Sequence, residues 1–255
     1  MSKRIEDLKV IENKRIADDL FIIELSCNND LQELKPGQFA QVRVDGSPGT
    51  FLRRPISIHD VDYEKKIIKL LIRIAGKGTE ALSRLRIGDF LNLIYPLGTS
   101  FSFPAGNEKI LLVGGGCGVA PLLFLGKHLK SNGYIPDILL GFGNRERMVE
   151  IDEYRKIGTV YLTTEDGSEG EKGYVTDHSL FSTFRYDRIY CCGPDPMMRA
   201  ISGYCVKHNV KCEVSLENLM ACGIGVCLCC VVHTTRGNLC TCTDGPVFNI
   251  NDLKW

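Results

Sequence analysis

Six cysteines lie close together near the carboxyl end of the 255-residue chain, between Cys222 and Cys242. Three of them, Cys222, Cys227 and Cys230, have the C-x4-C-x2-C spacing of a plant-type [2Fe–2S] loop, and either Cys240 or Cys242 could supply a fourth thiolate. Such a cluster accepts one electron at a time. The cysteine segment therefore predicts an electron-transfer centre, which needs both a source and an acceptor of electrons.

A structural zinc site is the main alternative for these thiols. Zinc sites favour paired Cys-x2-Cys units, whereas this segment contains only one such pair, Cys227 and Cys230. Gly223 and Gly225 would let backbone amides turn toward cluster sulfide, and such donors tune the potential of a cluster. We therefore favour a cluster over zinc, and we expect Cys229 to point away from the metal.

Composition limits the binding partners and the cellular compartment that the sequence suggests. The 31 basic and 31 acidic residues balance, so there is no electrostatic reason to expect nucleic acid or an anionic membrane as a partner. The amino terminus has no apolar segment after its basic start, so we expect no signal peptide. The longest apolar run, residues 110–126, contains five glycines and a proline, which is typical of a strand, a turn and a helix start. We expect a cytoplasmic protein whose thiols bind metal.

Two architectures follow one another along the chain. From Leu8 to about Leu97, short apolar segments separated by Gly and Asp are typical of a small antiparallel β-barrel. After Pro104, strand-like and helix-like segments alternate, which predicts a parallel α/β sheet. A closing strand is expected at 211–216, followed by the cysteine segment as an appended module. The predicted helices are 79–85, with Thr79 as a possible N-cap, 121–130 and 196–208.

The barrel region contains two features that could bind a phosphate. In the segment Arg53-Arg54-Pro55-Ile56-Ser57-Ile58, Arg54 offers a guanidinium and Ser57 a small hydroxyl beyond a rigid proline. Gly76-Lys77-Gly78-Thr79 could present backbone amides and a helix N-terminus to a pyrophosphate. The first segment alone could be an ordinary barrel strand, but the two together favour a phosphate-bearing cofactor.

Two further motifs follow strands of the α/β region. The segment Gly114-Gly115-Gly116-Cys117-Gly118-Val119-Ala120-Pro121 joins a strand to a helix through a glycine turn that can approach a pyrophosphate. The segment Cys192-Gly193-Pro194-Asp195-Pro196 stands at the carboxyl end of a later strand, where open α/β sheets bind ligands. Tight structural turns are the alternative for both motifs.

Taken in order, these motifs resemble the ferredoxin–NADP reductase-like superfamily, in which a flavin barrel precedes a nicotinamide domain. Its flavin signature matches Arg54-Pro55-Ile56-Ser57, although Ile56 replaces the usual stacking aromatic residue. The segments 217–225 (ENLMACGIG) and 242–248 (CTDGPVF) closely resemble the electron transfer subunits of NAD-dependent (type B) dihydroorotate dehydrogenases. This resemblance covers essentially the whole chain.

The resemblance implies three domains. They are an antiparallel flavin-binding β-barrel in residues 1–103, a parallel-sheet nicotinamide-binding α/β domain in residues 104–212, and a small C-terminal [2Fe–2S] module in residues 213–255. It also selects Cys242 over Cys240 as the fourth cluster ligand beside Cys222, Cys227 and Cys230, with a shortened loop at 232–239. The implied FAD contacts are Arg54, Pro55, Ile56, Ser57, Leu71, Ile72, Arg73, Gly78 and Thr79. The implied nicotinamide contacts are Gly114, Gly115, Gly116, Gly118, Cys192, Gly193 and Pro194.

The resemblance also implies a reaction and a partner. Electrons would pass from the FMN of a separate catalytic subunit through the cluster and FAD to NAD⁺, as dihydroorotate becomes orotate in pyrimidine (UMP) biosynthesis. A flavin suits the middle position because it is stable with zero, one or two electrons added. The complex would be a heterotetramer of two subunits of each kind, with the cluster module at the interface. No catalytic acid or base is assigned to this chain.

Two alternatives remain open. The first is an NAD(P)H-dependent reductase subunit that serves another acceptor and is sulfide- or ferredoxin-linked. The choice of NAD over NADP rests on the resemblance alone, because Asn144-Arg145 follows the second predicted strand and an arginine there could tolerate a 2′-phosphate. The second alternative is a zinc-stabilised binding module with a degenerate nucleotide fold, which would lack flavin and cluster absorption.

Overall fold

The structure, a computed structural model, describes residues 2–254. Met1 and Trp255, the latter without an assigned role, lie outside the described residues.

The amino-terminal part is a closed antiparallel barrel with the strand order β1-β2-β5-β4-β3-β6, which confirms the predicted barrel. Its interior is apolar because alternate residues of each strand point inward; Ile23, Ile58 and Leu70 are completely buried there. The six strands are β1 (Arg4–Ala17), β2 (Leu20–Ser26), β3 (Phe39–Val42), β4 (Arg54–Asp62), β5 (Ile67–Arg73) and β6 (Phe90–Leu97).

One short helix, α1 (Lys77–Leu82), interrupts the barrel. It begins at Lys77 with Gly76 as its N-cap, so the prediction of Thr79 as the N-cap was wrong. Thr79 still closes the start of the helix, because its hydroxyl accepts hydrogen bonds from the backbone N–H groups of Ala75 (2.8 Å) and Gly76 (3.3 Å).

The second part is a seven-stranded sheet with the order β10-β9-β8-β7-β11-β12-β15, in which only β15 is antiparallel to its neighbour. Ile110 and Leu112 pack on one face of the sheet, and Leu111 and Val113 pack on the other. The strands are β7 (Ile110–Gly115), β8 (Asp137–Phe142), β9 (Thr159–Thr164), β10 (Glu171–Lys172), β11 (Arg188–Cys192), β12 (Lys211–Ser215), a separate hairpin of β13 (Val231–Thr234) and β14 (Gly237–Cys240), and β15 (Val247–Asn249). The helices are α2 (Ala120–Ser131), α3 (Ile151–Arg155), α4 (Leu180–Thr183) and α5 (Asp195–His208).

The cysteine segment is an excursion from this sheet and not a simple appendage. It leaves the sheet after β12 and returns to it as β15, which the sequence analysis did not anticipate. The N–H of Leu216 donates to the carbonyl of Pro246 (2.9 Å), and the N–H of Thr99 in the barrel donates to the carbonyl of Gly245 (2.6 Å). The sheet and the barrel therefore both hold the segment, and the expected boundary after residue 212 falls inside β12.

The barrel and the sheet are packed into one unit. Leu20 and Leu71 of the barrel share a hydrophobic core with Leu122 of α2. His59 of β4 is completely buried at this contact, with Nδ1 2.7 Å from the carbonyl oxygen of Ala120 and Nε2 2.9 Å from Oε2 of Glu150. These hydrogen bonds fix the orientation of the barrel relative to the sheet, which apolar packing alone would leave adjustable.

Glu150 makes this contact depend on pH. Burial opposes its ionisation, but the hydrogen bond to His59 and the nearby Lys69 lower its pKa from 4.5 to about 2. A carboxyl whose pKa is lower in the folded state stabilises the fold above its unfolded pKa, and this contribution is lost as the pH falls through the folded pKa. We expect the free energy of unfolding to fall between about pH 5 and pH 2, and Glu150→Gln to make that fall shallower.

Urea unfolding followed by circular dichroism at each pH measures this effect. Glu146, an exposed carboxyl close by, provides the control because Glu146→Gln should keep the wild-type slope. An equally steep fall in Glu150→Gln and the wild type would show that Glu150 does not carry the dependence.

Candidate cofactor and electron-transfer site

Strands β4 and β5 separate at one end of the barrel. They are paired between two end pairs, in which Asp62 faces Ile67 and Ile58 faces Leu70. Beyond that point residues 54–57 pair only with β3, and residues 71–73 pair only with β2. The two strand segments predicted to contact FAD therefore line opposite sides of one opening, with backbone groups that have no strand partner on the facing sides.

The side chains around this opening differ in what they offer a ligand. Leu71 and Ile72 are 2% and 1% exposed and belong to the hydrophobic cores, so they present backbone only. The side chain of Arg73 is exposed. The residues of the other side, Pro55, Ile56 and Ser57, are half-buried and partly accessible.

Arg54 brings the two predicted phosphate-binding features together. A Cβ atom at Gly78 would lie 2.9 Å from Nε of Arg54, so the guanidinium lies against the first turn of α1. The hydroxyl of Thr79 is engaged in closing that turn, which leaves its backbone N–H as the group available to a cofactor. Because α1 has only six residues, the guanidinium is the stronger attraction for a phosphate.

The two glycine motifs of the sheet meet at its carboxyl edge. Strand β7 lies between β8 and β11, where the strand order reverses, and open α/β sheets bind ligands at this switch point. Cys192 pairs with Gly114, and a Cβ atom at Gly118 would lie 2.4 Å from the Cα atom of Gly193. Only glycine permits this backbone contact at position 118.

A cavity of about 560 Å³ opens beside these turns. Its lining includes the predicted residues Gly115, Gly116 and Pro194, whereas Gly114, Gly118, Cys192 and Gly193 support its wall without lining it. Cys192 is 1% exposed, and burial raises the pKa of its thiol, so it remains a neutral core residue. The lining also contains residues that were not predicted from the sequence, among them Gly141, Thr163, Glu165 and Tyr174.

One of these residues, Gly141, stands where the sequence did carry a signal. Gly141 lies near the end of β8 and Gly143 directly follows that strand, next to the switch point, where glycines again allow close approach of a ligand. Thr163 is buried, and its Oγ1 has no hydrogen-bond partner in the structure. Buried hydroxyls are normally paired. The cavity therefore presents a polar group that a bound nucleotide can satisfy.

Arg147 brings a positive charge to the cavity, but a carboxylate already faces it. Its Nη2 donates to both side-chain oxygens of Asp19 at 2.7 and 2.8 Å, and this hydrogen bonding lowers the pKa of Asp19. Arg145, the arginine noted in the sequence, does not line the cavity and lies 3.7 Å from Glu169. An arginine paired in this way suits NAD better than NADP, whose 2′-phosphate needs an uncompensated cation.

The cysteine segment packs against strand β3. The buried residues Cys230, Cys240 and Cys242 form a cluster with Phe39 and Leu97 of the barrel. In contrast, Cys227 and Cys229 are exposed at the outer side of the segment. All twelve cysteines of the chain lie within residues 2–254, and all are free thiols.

Backbone N–H groups point at the sulfur atoms. Sγ of Cys222 accepts from the amides of Ile224 and Cys227 at 3.4 and 3.5 Å, and Sγ of Cys242 accepts from Gly225 at 3.2 Å. The two amides lower the pKa of Cys222 to about 6, which favours the thiolate form that metals bind. The positive φ of Gly225, +83°, allows its amide to turn inward.

Several of the cysteine side chains contact one another. The side chain of Cys222 interacts with that of Cys227, and the side chain of Cys230 interacts with those of both Cys240 and Cys242. Among residues 2–254, no group of three or more Cys, His, Asp or Glu side chains has the arrangement to hold a metal ion. The donor chemistry, with thiols and inward-pointing amides in one segment, nevertheless fits an iron–sulfur cluster.

Family models match three consecutive parts of the chain. An oxidoreductase FAD-binding domain matches residues 7–101, and an oxidoreductase NAD-binding domain matches residues 112–203. The iron-sulfur cluster binding domain of dihydroorotate dehydrogenase B matches residues 217–254. These matches confirm the predicted cofactors, FAD, NAD and an iron–sulfur cluster, and they set the zinc alternative aside.

Relatives cover the whole chain. The electron transfer subunit of dihydroorotate dehydrogenase B (NAD(+)) from Clostridium acetobutylicum is 42% identical over 246 residues, which span 96% of this chain and 95% of that protein. Its counterpart from Shouchella clausii is 36% identical over 259 residues, 99% of each chain. This chain belongs to the family of dihydroorotate dehydrogenase B electron transfer subunits. The resemblance noted in the sequence is thus confirmed.

Solved structures confirm the fold of this electron transfer subunit. The NADH-dependent reduced ferredoxin-NADP oxidoreductase, described for flavin-based electron bifurcation, aligns with a TM-score of 0.87 and 29% identity over 97% of this chain and 90% of that chain. The Amycolatopsis cytochrome P450 reductase GcoB aligns with a TM-score of 0.71 and 22% identity over 80% of this chain and 66% of that chain, a likeness of fold alone.

The choice of fourth cluster ligand can be tested in the electron transfer subunit. Cys242 accepts an amide hydrogen bond from the loop of Cys222 and Cys227, whereas the backbone of Cys240 is bonded to the side chain of Asp244. We expect Cys242→Ser to lose most of its iron and Cys240→Ser to keep it, as measured by iron analysis and visible absorption. Equal iron contents in the two variants would overturn the assignment of Cys242.

The role of Arg54 can be tested by the affinity for FAD. We expect Arg54→Ala to bind FAD on the order of tenfold to hundredfold more weakly, because one charge-assisted hydrogen bond to phosphate is lost. Flavin fluorescence on dilution measures the release. Arg43→Ala, which removes an exposed barrel arginine, is the matched control and should retain FAD. Stoichiometric FAD in Arg54→Ala after dilution would argue against a phosphate contact.

Proposed function

We propose that this chain links NAD⁺ to a separate subunit that oxidises dihydroorotate to orotate in pyrimidine (UMP) biosynthesis. The observation that carries the proposal is the cysteine segment, which matches the iron–sulfur domain of dihydroorotate dehydrogenase B and packs on the barrel beside the FAD segment. The proposed domains are residues 1–103 for FAD, 104–212 for NAD and 213–255 for the cluster.

The order of the sites along the fold supports this route. Strand β3 pairs with the FAD segment of β4, and its Phe39 packs on the cysteine segment. Strand β3 therefore contacts both the FAD segment of β4 and the cysteines. On the other side, Leu71 of the FAD opening shares a hydrophobic core with Val119, which follows the glycine turn. The proposed sites form the series nucleotide, flavin, cluster.

When bound, the flavin would exchange hydride with the nicotinamide and single electrons with the cluster, so that electrons pass from the partner's FMN to NAD⁺. The chain's own residues hold these groups in place and exclude water. We propose Arg54, Pro55, Ile56, Ser57, Leu71, Ile72, Arg73, Gly78 and Thr79 at FAD, the two glycine motifs at NAD, and Cys222, Cys227, Cys230 and Cys242 at the cluster. Cys117 stays a neutral thiol, since burial raises its pKa to about 12.

The outer side of the cysteine segment provides a docking surface for the catalytic subunit. Leu219, Val226 and Leu228 are exposed by 86%, 76% and 62%, which is unusual for apolar side chains grouped in one segment. An FMN-bearing subunit seated there would place its cofactor next to the cluster. We propose a heterotetramer with two subunits of each kind.

We also propose that the complex works in the cytoplasm, where the twelve free thiols would stay reduced. Among residues 2–254, the helices are too short or too polar to cross a membrane.

A second candidate function comes from the structural likeness to the reduced ferredoxin-NADP oxidoreductase. In that case the same series of sites would serve a ferredoxin-linked NADPH reaction. Sequence identity favours the first proposal, because it is 42% and 36% to two dihydroorotate dehydrogenase B subunits and 29% to that oxidoreductase.

Reconstitution with an FMN-containing dihydroorotate dehydrogenase subunit tests the proposed function. We expect the two chains to co-purify with FMN, FAD and iron, and to reduce NAD⁺ when dihydroorotate is added. The formation of NADH at 340 nm and of orotate gives the readout. Loss of this activity in a complex that carries all three cofactors, together with ferredoxin-dependent turnover, would favour the second candidate.

A charge placed on the docking surface tests whether the catalytic subunit binds there. Leu219→Glu should prevent assembly while keeping FAD, iron and the NADH-dependent reduction of an artificial dye, because a charge would be buried at the interface. Ile135→Glu is the control, since Ile135 is 78% exposed and lies before the amino end of β8, whereas the cysteine segment follows the carboxyl end of β12. Normal assembly of Leu219→Glu would exclude this surface.

A further inference from the structure

Gln41 of strand β3 has an unusual environment. Its side chain is completely buried, and neither Nε2 nor Oε1 has a hydrogen-bond partner. Leaving a buried amide unpaired costs folding free energy, whereas an apolar residue of similar volume would avoid that cost. A buried amide with no partner in the polypeptide indicates a partner that does not belong to the polypeptide.

The amide of Gln41 lies against the cysteine loop. A Cβ atom at Gly223 would lie 2.6 Å from both Cγ and Nε2 of Gln41, so the amide touches the backbone between Cys222 and Ile224. Gly223 also has a φ of +71°, which favours glycine. The close contact and the backbone conformation together allow the loop to approach this amide.

The neighbours of Gln41 place it between two proposed sites. Phe39, two residues earlier and on the same face of β3, packs with Cys230 and Cys242. On the neighbouring strand β4, Gln41 pairs with Pro55, one of the residues proposed to contact FAD. The side chain therefore stands where the barrel strand beside the flavin meets the ligand loop of the cluster.

The other buried glutamine nearby, Gln38, directly precedes β3 and has partners for its side-chain amide. Gln38, also buried, accepts a hydrogen bond at Oε1 from the N–H of Lys35 (2.8 Å) and donates from Nε2 to the carbonyl of Gly98 (3.4 Å). The backbone carbonyl of Gln41 itself accepts from Nη1 of Arg53 (3.1 Å). Of these two buried glutamine side chains, that of Gln41 is the one without a partner.

We propose that Gln41 is the barrel's hydrogen-bond donor to the iron–sulfur cluster, with its Nε2–H group directed at a sulfur of the cluster or of its thiolate ligands. Gln41 is a positioning residue that tunes the cluster and takes no part in bond making. A donor to sulfur stabilises the more negative, reduced cluster and so raises its reduction potential. The inference rests on the proposed occupation of the cysteine loop by a cluster, and it does not depend on dihydroorotate as the substrate.

The experiment uses the FAD- and iron-loaded full chain and the variants Gln41→Leu and Gln41→Met, which keep the volume but remove the amide. We expect both to retain iron, with a lower cluster midpoint potential in EPR-monitored redox titrations and shifted g values of the reduced cluster. Gln32→Leu, which removes a partly buried barrel glutamine bonded to the carbonyl of Tyr95, should leave both properties unchanged.

A second measurement does not depend on a variant. Glutamine labelled with ¹⁵N at the side-chain amide should give a weak nuclear coupling in the pulsed EPR spectrum of the reduced wild-type cluster, and Gln41→Met should lose it. A fully loaded wild type without this coupling would overturn the proposal. An altered flavin potential with an unchanged cluster potential would instead assign the amide to FAD. Failure of the proposed function would appear separately, as an iron-loaded protein without dihydroorotate-dependent turnover.

Discussion

The contact between barrel and sheet is the constraint on which the other sites depend. Electron and hydride transfer require cofactors held at short and constant distances, and here the cofactor segments are distributed over two packed domains. The apolar core that joins Leu71 to Leu122 supplies the attraction, and His59 fixes the orientation through Ala120 and Glu150. A hinge at this contact would separate the FAD opening from the nucleotide cavity. Directional hydrogen bonds within an apolar contact resist such a motion better than either interaction alone.

The cysteine segment is also held in place by contacts with both the sheet and the barrel. A loop that carries metal ligands at the end of a chain would fray, but this one returns to the sheet as β15 and hydrogen-bonds the barrel at Thr99. Close glycine contacts complete the attachment: a Cβ atom at Gly98 would lie 2.6 Å from Pro246. The segment can therefore expose apolar residues to a partner and still keep its buried cysteines fixed against Phe39 and Leu97.

The sequence predicted what depends on local patterns and missed what depends on pairing. Strand β1 (RIEDLKVIENKRIA) alternates charged and apolar residues, and its long charged face hid it from a search for apolar runs. Strand β15 has only three residues and becomes a strand through its partner β12. The glycine motifs were found because backbone approach requires glycine at fixed positions. Thr163 and Gln41 were missed because a polar residue becomes informative only when its burial is known.

Some buried polar groups of this fold have no hydrogen-bond partner, which lowers stability but places them where a ligand could bind. The unpaired hydroxyl of Thr163 and the unpaired amide of Gln41 cost folding free energy, since each residue could be replaced by an apolar one at little cost in packing. Asp60, which is 5% exposed, differs because only its Oδ1 is unpaired, while its Oδ2 accepts a hydrogen bond from Nζ of Lys127 at 2.6 Å. Thr163 lines the nucleotide cavity and Gln41 contacts the cluster loop, so both lie at sites where a bound group can supply the missing bond. A bound group that supplies this hydrogen bond would make the folded state more stable.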